Sequence, residues 1–162
     1  MKELFREKTD SIREVFLYLK RFQERSFVIK IDHPLTETPV FPSLIRDLAQ
    51  LREVGIHVLI VAGARERIDE VLERYGIENH MAGPVRISSP DAMPFIKMAA
   101  FDVANRIMTL LTANGISAVI GNWVRARTLG VVDGIDYMST GKVERILGGQ
   151  LAGGGDAAAE YA

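Results

Sequence analysis

The sequence predicts an α/β protein, a three-layer α/β/α sandwich with a mostly parallel sheet, preceded by an amphipathic helix. Short β-rich apolar runs alternate with stretches of helical periodicity, and the helical stretches end at glycines. The 162 residues, 48% hydrophobic and 25% charged, supply a core for one compact unit. Strands separated by helices point to parallel pairing, because a parallel connection needs a long crossover.

The first helix is marked by Ile12, Val15, Phe16, Leu19 and Phe22, with Leu4 and Phe5 upstream, recurring every three or four positions between charges. Phe27, Val28, Ile29 and Ile31 form a β-rich run that Asp32-His33-Pro34 ends, since proline has no N–H for a ladder. Leu44, Ile45, Leu48, Leu51 and Val54 then trace a helical face stopped at Gly55, and His57 to Val61 reads as a second buried strand. Gly63 begins a strand-to-helix turn into Ile68, Val71, Leu72 and Tyr75, which stops at Gly76. Ser89-Pro90-Asp91 reads as the start of a helix running to Asn114-Gly115, with Pro94 early enough to be tolerated. Ile116 to Ile120 and Trp123 to Ala126 are β-prone, and Val132-Asp133-Gly134 and Thr140-Gly141 read as turns around a hairpin, so crossover units give way to a meander. From Gly148 to Ala162 five residues are glycine and five alanine, the composition of a disordered tail or a truncation scar.

Composition excludes several function classes. Twenty basic against twenty-one acidic side chains, net charge −1, give no global field for a polyanion, so nucleic-acid binding is not expected. The absence of cysteine removes disulfides, thiolate metal sites and cysteine nucleophiles. No apolar run is long enough to cross a bilayer, and the expected setting is cytoplasmic, without membrane partners. His33, His57 and His80 lack metal-pair spacing, and no metal is expected. Asp32 and His33 have no evident third partner for acid/base work, and no catalytic residue is assigned. Asp133 and Asp136 lack the other acidic ligands of a calcium loop.

In open α/β sheets ligands meet the loops at the carboxyl ends of strands, here the segments after Ile31, Val61 and Ile120. The turn Ala62-Gly63-Ala64-Arg65 allows close backbone approach and presents helix N–H groups to an anion, although it lacks a three-glycine dinucleotide fingerprint. Arg86, between Gly83-Pro84-Val85 and the Ser88-Ser89-Pro90-Asp91 helix start, offers a guanidinium fork suited to a carboxylate. Lys30 is odd within an apolar strand, where an amine belongs only if its end reaches a ligand, a partner or solvent.

The ordered motifs Phe27-Val28-Ile29-Lys30-Ile31, Val58 to Arg65, Val85-Arg86-Ile87, Gly121-Asn122-Trp123, Leu129 to Tyr137 and Thr140-Gly141 carry a resemblance. From about Arg13 to Ile146 the chain resembles the N-terminal half of the amino-acid-kinase domain of bacterial N-acetylglutamate synthase. More distantly it resembles arginine-sensitive N-acetylglutamate kinase. The resemblance implies an N-terminal oligomerisation helix (1–24), an amino-acid-kinase-like lobe (25–147) and the Gly/Ala-rich tail (148–162). It implies a protein of arginine biosynthesis, homo-oligomeric through its first helix, whose ligand is glutamate, N-acetylglutamate or arginine. The implied ligand-binding residues are Gly63, Ala64, Arg65, Arg86 and Asn122. Lys30 would contact phosphates only in a kinase.

The departures bear on activity. Where the kinase pattern has paired glycines after the lysine strand, this chain has Asp32, His33 and Pro34, a poor cradle for phosphoryl transfer, which needs preorganised positive charge and donors. Ala64 replaces the second glycine of the substrate loop, as in the synthase pattern. The family's nucleotide-binding half and acetyltransferase domain are also missing from the match. The expectation is a ligand-binding or regulatory lobe of a synthase lineage without independent catalysis. Acetyl-CoA is implied only for a full-length synthase, and no cofactor for this chain. The alternatives are an acetylglutamate kinase with an unusual phosphate loop, which would use ATP, and an oligomerisation module with a vestigial pocket.

Overall fold

The computed structural model describes residues 2–121 and 124–146, with no side-chain description for residues 2–7 or 146. Asn122, Trp123 and the Gly148 to Ala162 tail lie outside the described residues. The order is α1 (Lys2–Phe22), β1 (Ser26–Asp32), α2 (His33–Thr36), α3 (Phe41–Glu53), β2 (His57–Gly63), α4 (Arg65–Arg74), β3 (His80–Ala82), β4 (Val85–Ile87), α5 (Met93–Ala113), β5 (Val124–Thr128), β6 (Val131–Val132), β7 (Ile135–Asp136) and β8 (Gly141–Ile146). No helix among the described residues is long and apolar enough to cross a membrane.

The predicted α/β class is what the chain adopts. β1 and β2 pair in parallel over their full length, Ser26 opposite His57 through Asp32 opposite Gly63, across a crossover that contains α2 and α3. Side chains alternate along a strand, so Ile29, Ile31, Val58, Ile60 and Ala62 share one face. They pack with Phe41, Ile45 and Leu48 of α3 and Val103, Ile107 and Leu111 of α5 into one core. Ile31, Ile45 and Phe41 are essentially inaccessible to water. Lys30 lies on the opposite face, which explains an amine in this run: its side chain is 67% exposed.

The glycine stops form as expected. Gly55, Gly76 and Gly115 adopt left-handed conformations after α3, α4 and α5, a region that favours a residue without Cβ. α5 begins at Met93, later than the Ser89-Pro90-Asp91 signal, with Pro94 in its first turn. Ser89 instead shapes the approach, its carbonyl and hydroxyl both accepting from the Ala92 N–H.

The expected strand Ile116 to Ile120 does not form, and this is a correction: the segment has no ladder, although Ile116 and Ala118 pack against the core. Its alternating apolar residues report burial and not pairing. β5 occupies Val124–Thr128 and pairs antiparallel with β8, enclosing the β6–β7 hairpin, whose turn residues Asp133 and Gly134 both have positive φ. Sequence periodicity does not resolve the short β3–β4 hairpin around Gly83-Pro84 or the single turn of α2.

α1 meets the rest of the chain at its C-terminal end. The Phe22 ring packs edge-on against Phe27 at 5.5 Å, and the Glu24 N–H donates to the Gly55 carbonyl. Farther up the helix Ile12, Val15, Phe16 and Leu17 are each more than half exposed.

Candidate functional site at the carboxyl ends of β1 and β2

Both parallel strands end at the same level, β1 at Asp32 and β2 at Gly63, and helices leave directly from each. Lys30 and Asp32 are two apart on one strand and share a face, so the ammonium reaches its neighbour: Lys30 Nζ lies 2.9 Å from Asp32 Oδ1 and 3.2 Å from Oδ2. Gly63 makes room for that carboxylate. A Cβ on Gly63 would sit 1.9 Å from Asp32 Oδ1 and 3.2 Å from Asp32 Cα. The glycine of the predicted turn is therefore required for close approach between two strands.

Ala64 is buried and precedes α4 without supplying a side-chain cap, while its carbonyl accepts from the Ile68 N–H. The first-turn amides of α4 thus lack a local side-chain acceptor at the N-cap. Arg65 and Asp69 are four residues apart and share one face of α4. That face meets the β3–β4 hairpin: Arg65 Nη2 donates to the Pro84 carbonyl at 2.6 Å, and Arg86 Nη2 donates to Asp69 Oδ1 at 2.8 Å. Arg86 Nη1 donates to Asn79 Oδ1, and Asn79 Nδ2 donates to Asp69 Oδ1 at 2.7 Å. The Arg86 side chain is 14% exposed.

The backbone at Arg86 is fixed from a distant part of the chain. The Thr140 hydroxyl donates to the Arg86 carbonyl at 2.7 Å and accepts from the Ser88 N–H at 2.9 Å, while the Ser139 N–H donates to the Ser88 carbonyl.

Gly63, Ala64, Arg65 and Arg86 are therefore gathered along the N-terminal half of α4, with Lys30 next to Gly63 through Asp32. Asn122 lies outside the described residues. Sequence reasoning missed Asp69 and Asn79, although the four-residue step from Arg65 to Asp69 places Asp69 on the helix face of Arg65.

Sequence reasoning also missed a second feature. A cavity of about 400 Å³ lies between α2, α4 and α5, lined by His33, Glu37, Arg67, Glu70, Asp102, Val103 and Arg106. Arg67 bonds both Glu70, at 3.0 Å, and Asp102, at 2.9 Å. The hydrogen bond from Glu70 raises the Arg67 pKa above its ordinary value, partial burial opposes it, and Asp102 adds to the rise. Arg106 bonds Glu37 and donates to the Thr36 carbonyl, and His33 lies 3.6 Å from Glu37. These charges answer one another and fasten three helices together. No group of acidic or histidine side chains suited to a metal ion exists among the described residues.

The profile of the amino acid kinase family matches residues 26–152. The amino-acid acetyltransferase of Pasteurella multocida (strain Pm70) is 34% identical over 134 residues, 80% of this chain and 30% of the relative. That of Proteus mirabilis (strain HI4320) is 34% identical over 155 residues, 90% of this chain and 35% of the relative. The chain thus spans about a third of the length of the curated relatives it matches. Among solved structures, N-acetylglutamate synthase from Neisseria gonorrhoeae complexed with coenzyme A and N-acetyl-glutamate superposes with a TM-score of 0.73 at 25% identity, over 85% of this chain and 32% of that one. The same protein complexed with coenzyme A and L-arginine has a TM-score of 0.69 at 24% identity, over 83% and 34%, a likeness of fold.

Proposed function

The chain belongs to the amino acid kinase family, and we propose that it serves as an amino-acid-binding, regulatory lobe of the N-acetylglutamate synthase lineage, without phosphoryl transfer of its own. The observation that carries this reading is the Lys30–Asp32 pair seated on Gly63. A phosphate arriving at Lys30 would meet a carboxylate already holding the ammonium, and Pro34, in the first turn of α2, has no N–H to offer. Residues of this kind do not fit a nucleotide triphosphate, so no step through ATP is derived. The exposed Arg65 and the first-turn amides of α4 instead supply positive charge and donors for a carboxylate, beside an Arg86 held in place by Asp69 and Asn79. In this reading glutamate, N-acetylglutamate or arginine is the ligand. Acetyl transfer, and the acetyl-CoA it needs, belong to the full-length relatives, and the setting is cytoplasmic.

The exposed Ile12, Val15, Phe16 and Leu17 support a further part of the proposal, that residues 1–24 form an assembly helix between copies and residues 25–147 the ligand-binding lobe. The test of the binding claim is calorimetric titration of the folded 162-residue chain with the three ligands. Saturable heat with at least one is expected, and no heat with any refutes the reading. An assay trapping ATP-dependent acylphosphate is expected to stay blank.

A further inference from the structure

We propose that the β5–β8 ribbon is a docking edge for an extended acidic segment of another protein, which joins β5 as a third strand. Residues opposite one another across two strands share a face, and the register sets Arg125 opposite Arg145 and Arg127 opposite Lys142. Alternation along β5 puts Arg125 and Arg127 on one side about 7 Å apart, so four cations form a square on one face of the ribbon. The extra residue in β8 creates this square: without it Glu144, and not Arg145, would oppose Arg125. All four cations are exposed, in a chain whose net charge is −1. Glu144 pairs with Arg127 at 3.1 Å, while Arg125, Lys142 and Arg145 have no hydrogen bond or ion pair among the described residues. Like charges set directly opposite weaken a ladder. Keeping a second copy off an edge needs a lysine or arginine on the outer strand, not cations facing one another across the ribbon. The square is therefore suited to an anionic partner.

The edge decides the form of that partner. Among the described residues the ribbon has two strands, so the outer side of β5 presents unpaired main-chain N–H and C=O groups along Val124–Thr128. The bulge interrupts β8, whereas β5 runs regularly. A strand added to β5 carries every second side chain on the cationic face, at the spacing of Arg125 and Arg127. Its other side chains lie beside Val124, Ala126 and Thr128. The matching sequence alternates an acidic residue with a β-branched one. Antiparallel pairing of β5 with β5 of a second copy sets arginine against arginine, so charge selects a different chain.

The experiment is a fluorescence-anisotropy titration of a labelled seven-residue peptide, glutamate alternating with valine between terminal threonines, with the whole 162-residue chain. Saturable binding is expected, at least roughly tenfold tighter than that of the counterpart with lysine for glutamate. Methylating the peptide's amide nitrogens on alternate residues blocks one side of the strand. One of the two alternate sets is expected to lose roughly tenfold or more in affinity, and the other to stay within about twofold of the parent. These comparisons need no variant of the protein. Arg125→Gln together with Arg127→Gln is expected to weaken binding of the acidic peptide about fivefold or more, with an unchanged circular dichroism spectrum. No binding of the acidic peptide, equal binding of the lysine counterpart, full affinity of both methylated peptides, or full affinity of the folded double variant would each overturn the inference. Tighter binding of an oligothymidylate of equal charge would assign the face to nucleic acid and overturn it too. The amino-acid-binding reading stands or falls separately.

Discussion

Replacing Gly63 with alanine tests whether the end of β2 is glycine for the sake of Asp32. The added Cβ would lie 1.9 Å from Asp32 Oδ1, 3.0 Å from its Cγ and 3.2 Å from its Cα. The carboxylate must swing away, which breaks its pairing with Lys30, and the paired backbones must part slightly. Loss of the Lys30–Asp32 bond is a small effect, about 0–1 kcal/mol, because both side chains are more than half exposed. Crowding at a tight contact costs about 1–3 kcal/mol. Against these, alanine in place of glycine reduces the freedom of the unfolded chain by about 0.4–1 kcal/mol, since Gly63 is not among the positive-φ glycines. The net expectation is a loss of about 1–2 kcal/mol in urea or thermal denaturation followed by circular dichroism. In an Asp32→Ala background the two nearest contacts vanish, so the same substitution should become neutral to within about 0.5 kcal/mol or slightly stabilising. An unchanged midpoint for Gly63→Ala alone, or an equal loss in both backgrounds, refutes the close-approach argument.

Three further outcomes follow from the packing. Ile45→Ala, at a position with no accessible surface, should cost about 2–5 kcal/mol by denaturation, whereas Ile12→Ala on the exposed face of α1 should change the stability of a single chain by less than about 0.5 kcal/mol. Thr140→Val keeps the side-chain shape but leaves the Arg86 carbonyl and the Ser88 N–H without their partner; a loss of about 1–3 kcal/mol is expected, largely restored by Thr140→Ser. If α1 joins copies of the chain, the double substitution Ile12→Asp and Phe16→Asp should lower the mass seen by light scattering to that of one chain, and an unaltered oligomer mass would remove α1 from the assembly.

What is legible in the sequence is what local chemistry decides. Gly55, Gly76 and Gly115 end helices because the left-handed conformation after a last turn suits a residue without Cβ, and Asp133-Gly134 makes a hairpin turn because aspartate tolerates the left-handed conformation and glycine adopts it freely. The parallel β1–β2 unit follows from the alternation of apolar runs with helical ones. The segment Ile116 to Ile120 misleads because its apolar alternation answers to the core beneath Ile116 and Ala118, and whether a ladder forms depends on a neighbour that composition does not reveal. At the candidate site, Gly63, Arg65 and Arg86 can be singled out one at a time. Their partners cannot: Asp69, Asn79 and Pro84 become neighbours only when a hairpin of two three-residue strands folds against α4, and nothing in so short a strand announces its pairing. Lys30 is conspicuous as an amine among β-branched residues, yet its counter-ion two positions on reads as a defect in a phosphate cradle until the fold shows it to be the lysine's own partner.

The hydroxyl of Thr140 bears on the order in which the protein can be built. It ties down residues 52 and 54 positions earlier, so β4 leaves the ribosome long before its anchor exists. A nascent chain halted anywhere short of that threonine carries Arg86 on a segment still missing its fastening, and closure of this long loop is a late event in synthesis. The fastening of Arg86 thereby waits on completion of the β5–β8 meander, although every side chain bonded to its guanidinium comes from a residue synthesised before it.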